Sequence, residues 1–129
     1  MSELQGRRIL IVEDEFLLAL DLELALQRAG AEVIGPAATL AKAKSLAETE
    51  GLDAVVLDVR LGSEDTLGLA PRFVERDVAI LFHSGHAEYA DIAVSTPGAA
   101  FAGKPAAPDQ IIARLAALCA ERNGRGDEA

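Results

Sequence analysis

Residues 53–58 read DAVVLD, and this hexapeptide decides the fold. Ala54, Val55, Val56 and Leu57 form a continuous apolar run, the pattern of a strand buried on both faces. Asp58 follows where such a strand must surface. Outward from it the chain repeats one unit. RRILIVE (7–13) precedes the helical stretch FLLALDLELALQRAG, AEVIG (31–35) precedes a helix near 39–49, and DAVVLD precedes one around 66–76. DVAILFH (77–83) leads into a weaker helical segment near 87–94, cut short by Thr96, Pro97 and Gly98. AAFAG (99–103) leads into a helix near 108–122. Five strands alternating with helices predict an α/β fold with a parallel sheet covered on both faces.

The punctuation agrees with that reading. Gly30 sits where a helix C′ residue belongs, Thr39 where an N-cap belongs, and Pro108 in a first turn that needs no N–H from it. Ile111, Ile112, Leu115, Leu118 and Cys119 share one stripe of the last helix, which makes Cys119 a core residue. The first helix carries two stripes. Leu18, Leu22, Ala25, Leu26 and Ala29 form one for the sheet; Phe16, Leu17, Leu20 and Leu24 form another, either buried between helices or a docking surface. The domain is expected over 7–122, with a disordered tail over 123–129.

Bulk properties narrow the function. A chain of 129 residues can bury a core without staples, and its lone cysteine suits a reducing, cytoplasmic setting. MSELQGRR has no apolar signal region, and no apolar run is long enough to span a bilayer. A net charge of −9 with no basic stripe argues against direct nucleic-acid binding.

Polar groups gather at one end of the sheet. The first strand ends in Glu13 and Asp14, the third in Asp58 and the fourth in His83 and Ser84, while Lys104 follows the fifth. Ligands of open parallel sheets bind outside the carboxyl ends of the strands. Two carboxylates about 4 Å apart repel by roughly 4 kcal/mol at an effective dielectric of ~20, so the acids call for a cation or a retained proton. An all-oxygen set suits a hard, partly hydrated ion such as Mg²⁺. An exposed Asp with Mg²⁺ and a Lys can hold a phosphoryl group, and Asp is a competent nucleophile toward phosphorus. Single residues read more plainly. Glu15 is a helix-start charge, Asp53 opens the third strand, and His83 is packed or hydrogen-bonded rather than a metal ligand.

The constellation IVEDE, VVLD, FHSG and AGKP resembles the receiver domains of two-component response regulators over residues 7–122. The resemblance implies a doubly wound, flavodoxin-like sheet of order 2-1-3-4-5. It implies that Asp58 accepts phosphate from a histidine kinase or histidine phosphotransfer protein docking on helix one. Glu13, Asp14, Asp58 and the backbone carbonyl of Arg60 would hold Mg²⁺, Ser84 and Lys104 would contact the phosphoryl oxygens, and Lys104–Pro105 would be cis. Phe101 matches the switch aromatic that couples the site to a downstream protein target, and Arg60 and His86 match positions that set phosphoryl lifetime. The module is then a signalling domain, not an enzyme in its own right.

There are departures too. Ser84 stands where Thr is usual, and Gly62-Ser63 where many receivers have Pro. With a short fourth helix and Phe82-His83-Ser84-Gly85 for Phe-Ala-Thr-Gly, the chain resembles a divergent alphaproteobacterial subclass of stand-alone receivers. A small α/β enzyme fits less well. GxGxxG and GxxxxGKS are absent after the first strand, and Arg60 stands where an aspartyl-phosphate phosphatase would carry a second acid. A phosphate-independent binding module on the same fold is the remaining alternative.

Overall fold

The structure is a computed structural model that describes residues 3–128, with side chains described through Arg122. Its strands are β1 (Arg8–Val12), β2 (Glu32–Ala37), β3 (Ala54–Asp58), β4 (Arg60–Leu61), β5 (Glu64–Asp65), β6 (Ala79–Ser84) and β7 (Ala99–Gly103). The helices are α1 (Phe16–Arg28), α2 (Leu40–Ala47), α3 (Ala70–Glu75), α4 (Ala90–Ser95) and α5 (Pro108–Glu128). α5 continues through residues 123–128, where a disordered tail was expected; their side chains, and Ala129 altogether, lie outside what the structure describes.

Five strands form a parallel sheet ordered β2-β1-β3-β6-β7. This is the expected 2-1-3-4-5 order, renumbered only because a two-stranded antiparallel ribbon, β4–β5, follows β3. Every residue of β3 and of β6 is buried, as their apolar runs require of central strands. Alternation divides their side chains between two cores. Leu10, Val12, Val55, Leu57, Ile80 and Phe82 pack with Phe73 of α3 on one face. Ile9, Ile11, Val56 and Leu81 pack with Leu22 and Leu26 of α1 and Ile111, Leu115 and Cys119 of α5 on the other. Each such side chain contributes roughly 1.5–3 kcal/mol by leaving water. The sheet is therefore sealed on both sides, and its polar groups can surface only at the strand ends.

The caps form where the residues allow. Thr39 Oγ1 accepts the Lys42 N–H at 3.2 Å to start α2, and Gly30, with φ of 91°, follows α1 in the left-handed conformation. The fourth helix is short: a single 3₁₀ turn over Ala87–Tyr89, then α4.

Two features differ from the sequence reading. The second strand does not stop at Gly35 but runs on through a cis Gly35–Pro36 peptide to Ala37, with an irregular register between Leu10 and Val12 of β1. A Cβ on Gly35 would stand 2.9 Å from both Ile11 O and Ala37 N, so only glycine lets the bulge lie this close to β1. The β4–β5 ribbon is the other. It fills what reads as a plain turn around Gly62-Ser63, because Leu61 is buried and holds the segment against the core.

Candidate phosphoacceptor site

Register brings the polar ends together. Asp58 pairs with His83 and Val12 with Leu57, so β1, β3 and β6 finish at one level. Glu13 and Asp58 are buried there, whereas Asp14 is exposed. One oxygen from each of Glu13, Asp14 and Asp58 lies within 4.8 Å of the others. Such a set of carboxylate oxygens fits a hard divalent cation such as Mg²⁺.

Lys104 supplies the fixed counter-charge. Its Nζ lies 3.0 Å from Asp58 Oδ2 and 2.9 Å from Glu13 Oε1. It donates a hydrogen bond to Asp58, while the Glu13 contact is an ion pair that leaves Oε1 without an aligned donor. Burial pushes the Glu13 carboxyl up to about 7, with Lys104 opposing and the Asp58 charge adding to the rise. Burial alone would lower the Lys104 ammonium, but its pairing with the Glu13 and Asp58 carboxylates outweighs this and holds it above its ordinary value. The Lys104–Pro105 peptide is cis, as the resemblance implies.

The loop after β3 clasps Asp58 and Asp14 with main-chain donors. Arg60 N–H donates to Asp58 Oδ1 at 3.2 Å, and Gly62 N–H donates to Asp14 Oδ2 at 2.9 Å from the tip of the ribbon. Behind them the buried Thr66 hydroxyl donates to the Asp58 carbonyl at 2.8 Å. Sequence reasoning missed Gly62 and Thr66. Gly62 acts through its main chain, and Thr66 stands eight residues beyond its partner inside a segment read as helix start.

Ser84 is buried at the end of β6, where its Oγ accepts the His86 N–H at 3.1 Å and its carbonyl accepts the Lys104 N–H at 2.8 Å. The His86 ring meets Tyr89 edge-on. Phe101 is half-buried against the α3-side core beside Phe82, and Arg114 of α5 donates to its carbonyl at 2.9 Å. Glu15 caps α1 with its backbone only, its N–H donating to Glu13 Oε2. Asp53 is structural: its carboxylate accepts from Arg8 N–H and from Arg122.

His83 takes the first of its two expected places, in the packing. It is packed, at 1% exposure, but neither ring nitrogen has a hydrogen-bond partner among the described residues. Burial, with the Lys104 charge, pushes its imidazole down to about 4 against the pull of Asp58. The second stripe of α1 is settled as well. Phe16 is 76% and Leu17 71% exposed, and Leu20 and Leu24 are exposed too, so this stripe is not buried between helices. Among the described residues no helix is long and apolar enough to cross a membrane.

Comparison with known proteins agrees with this geometry. Residues 9–116 match the model of the response regulator receiver domain. The chain is 36% identical over 73 residues to the transcriptional regulatory protein PdtaR of Mycobacterium tuberculosis, a match spanning 57% of this chain but only 36% of that protein. The non-phosphorylated HemR receiver domain of Leptospira biflexa superposes with a TM-score of 0.78 at 29% identity, covering 88% of this chain and 94% of that one. A Burkholderia pseudomallei response regulator, solved with a phosphorylated aspartic acid and a calcium ion, superposes with a TM-score of 0.76 at 27% identity, covering 96% of this chain and 74% of that one. With the matched region spanning nearly the whole sheet and its acid rim, this chain belongs to the response regulator receiver domain family.

Proposed function

We propose that this receiver accepts a phosphoryl group on Asp58 and signals by binding a protein partner differently once modified. The observation that carries the reading is the gathering of Glu13, Asp14 and Asp58 within 4.8 Å, with Lys104 bridging two of them. An Asp58 oxygen attacks phosphorus, the donor's P–N bond breaks, and its electron pair leaves on the donor nitrogen, giving an acyl phosphate. Glu13, Asp14, Asp58 and the Arg60 carbonyl would hold Mg²⁺, which when bound neutralises charge on the phosphoryl oxygens. Lys104 and Ser84 then contact those oxygens, Lys104 by exchanging its carboxylate partner and Ser84 by turning its hydroxyl from His86 N–H.

The donor is a histidine kinase or histidine phosphotransfer protein, and the exposed Phe16, Leu17, Leu20 and Leu24 of α1 are its landing surface. Movement of Ser84 is read out by Phe101, which relies on packing because it has no hydroxyl. Arg60 and His86, at the rim, set how long the acyl phosphate lasts. Two features of the sequence suit a cytoplasmic signalling protein, the acidic net charge and the lone buried cysteine.

Intact mass after incubation with Mg²⁺ and phosphoramidate tests the reading. A gain of one phosphate, absent in Asp58→Ala and without Mg²⁺, is the expected result. No gain, together with no spectroscopic response to beryllofluoride, overturns it and leaves a phosphate-independent binding module.

A further inference from the structure

The three acids of the rim share one feature: each accepts a main-chain N–H on one carboxylate oxygen. Glu15 N–H reaches Glu13 Oε2 at 3.1 Å, Arg60 N–H reaches Asp58 Oδ1 at 3.2 Å, and Gly62 N–H reaches Asp14 Oδ2 at 2.9 Å. For Glu13 and Asp58 this is one restraint among several, since both are buried and Lys104 stands against the other oxygen of each. Asp14 is different. It is exposed, and among the described residues its carboxylate has no ion pair and no hydrogen bond besides that from Gly62. An exposed aspartate left to itself samples several rotamers, and ordering it on a ligand costs entropy.

The donor is fixed from the other side. Gly62 opens the two-residue turn that joins β4 to β5, and its φ of 61° is the conformation that suits glycine first in a tight hairpin. Leu61 pairs with Glu64 across the ribbon, which leaves the Gly62 N–H outside the ladder and free to point at Asp14. Val59 and Leu61 are buried in the core, and Thr66 ties the segment down, its N–H donating to the Val59 carbonyl at 2.8 Å and its hydroxyl to the Asp58 carbonyl. The ribbon thus takes its place from the core and not from Asp14. A proline in this turn, as in many receivers, would have no N–H to give. The rim also keeps room for positive charge: Glu13 Oε1, though buried, lacks an aligned donor among the described residues. Building on the phosphoacceptor reading above, we propose that Gly62 is a positioning residue of the metal site, its N–H holding Asp14 by Oδ2 and leaving the other oxygen to ligate a divalent cation. An outer-shell partner of this kind typically changes metal affinity about 10–100-fold. The β4–β5 ribbon is then part of the metal site through one main-chain group, and its anchoring by Leu61 and Thr66 helps set how tightly the cation is held.

Glycolic acid in place of Gly62 turns the amide into an ester, which deletes the N–H and alters no side chain. Mg²⁺ alone is titrated into the full chain and followed by calorimetry, in the unaltered protein and the ester, each with and without Asp14→Ala. The ester is expected to bind Mg²⁺ about tenfold more weakly, and the difference is expected to vanish in the Asp14→Ala background. A general loosening of the ribbon would not vanish with Asp14. An ester within about twofold of the unaltered chain, or a loss that persists in Asp14→Ala, overturns the proposal while leaving the phosphoacceptor reading standing. No Mg²⁺ binding by the unaltered chain overturns this proposal together with the metal-dependent reading it rests on. Should the ester fail to fold, exchange of the Gly62 amide proton in the unaltered protein decides the matter. Coupling is reciprocal, so saturating Mg²⁺ is expected to slow that exchange about tenfold. Exchange that is unchanged or faster overturns the proposal.

Discussion

The Lys104 ammonium donates to Asp58 Oδ2 at 3.0 Å, joining residues 46 positions apart in the chain. The same ammonium stands 2.9 Å from Glu13 Oε1, so one cation serves two buried carboxylates. A third acid, Asp14, is held close by a main-chain N–H rather than by a charge. The rim is therefore electrostatically overloaded by design of the register, and it gains from anything that adds positive charge.

Removing the nucleophile should consequently stabilise the fold. Asp58→Asn keeps the shape and deletes one of three crowded negative charges, so urea unfolding without divalent cations should show a gain of about 1–2 kcal/mol. The same variant should lose most of the further stabilisation that millimolar Mg²⁺ gives the unaltered chain. A loss of stability in Asp58→Asn would mean that the Lys104 pairing outweighs the repulsion.

Thr66 tests how firmly the acceptor strand end is anchored. Thr66→Val is close in shape but removes the hydroxyl that donates to the Asp58 carbonyl at 2.8 Å. The carbonyl is left short of a partner inside the protein, which should cost about 1–2 kcal/mol in urea unfolding. A variant as stable as its parent would show that the hydrogen bond is dispensable.

Gly35 should tolerate no side chain. Its φ of 92° and the 2.9 Å approaches to Ile11 O and Ala37 N combine backbone strain with a clash. Gly35→Ala is expected to lower stability by roughly 2–4 kcal/mol, read by thermal or urea unfolding. Gly62→Ala is the control: its φ is also positive, but a Cβ there meets nothing within 4 Å, so the loss should be limited to backbone strain.

Acid should weaken the protein through Asp53. Burial would raise this carboxyl, but the Arg8 N–H, Arg122 and Arg7 outweigh burial and hold it below its ordinary value. The unfolded chain then binds the proton more readily than the folded one. The stabilising contribution is present above about pH 4 and fades as pH falls below it. Unfolding free energy measured from pH 6 to pH 3 should drop less steeply in Asp53→Asn. Equal slopes would remove Asp53 from the acid sensitivity.

The sequence by itself determined the architecture and the main acids. Val55-Val56-Leu57 and Ile80-Leu81-Phe82 could only be doubly buried strands, and alternation with amphipathic helices left a parallel sheet as the way to bury them. Chemistry placed at strand ends was legible for the same reason: Glu13, Asp14, Asp58, Ser84 and Lys104 each terminate or follow an apolar run. Tertiary structure alone decided what depends on main-chain groups and on emptiness. The clasp from Gly62 N–H to Asp14 involves no side chain on the loop, so no residue letter announces it. The passage of β2 through Gly35-Pro36 depends on how closely β1 approaches. That the Phe16 stripe stays exposed, and that His83 lies buried beside a cavity with both nitrogens unpaired, follow from which neighbours fail to arrive. A sequence lists the groups a chain carries, but only the packed fold sets the distances at which they meet or miss their partners.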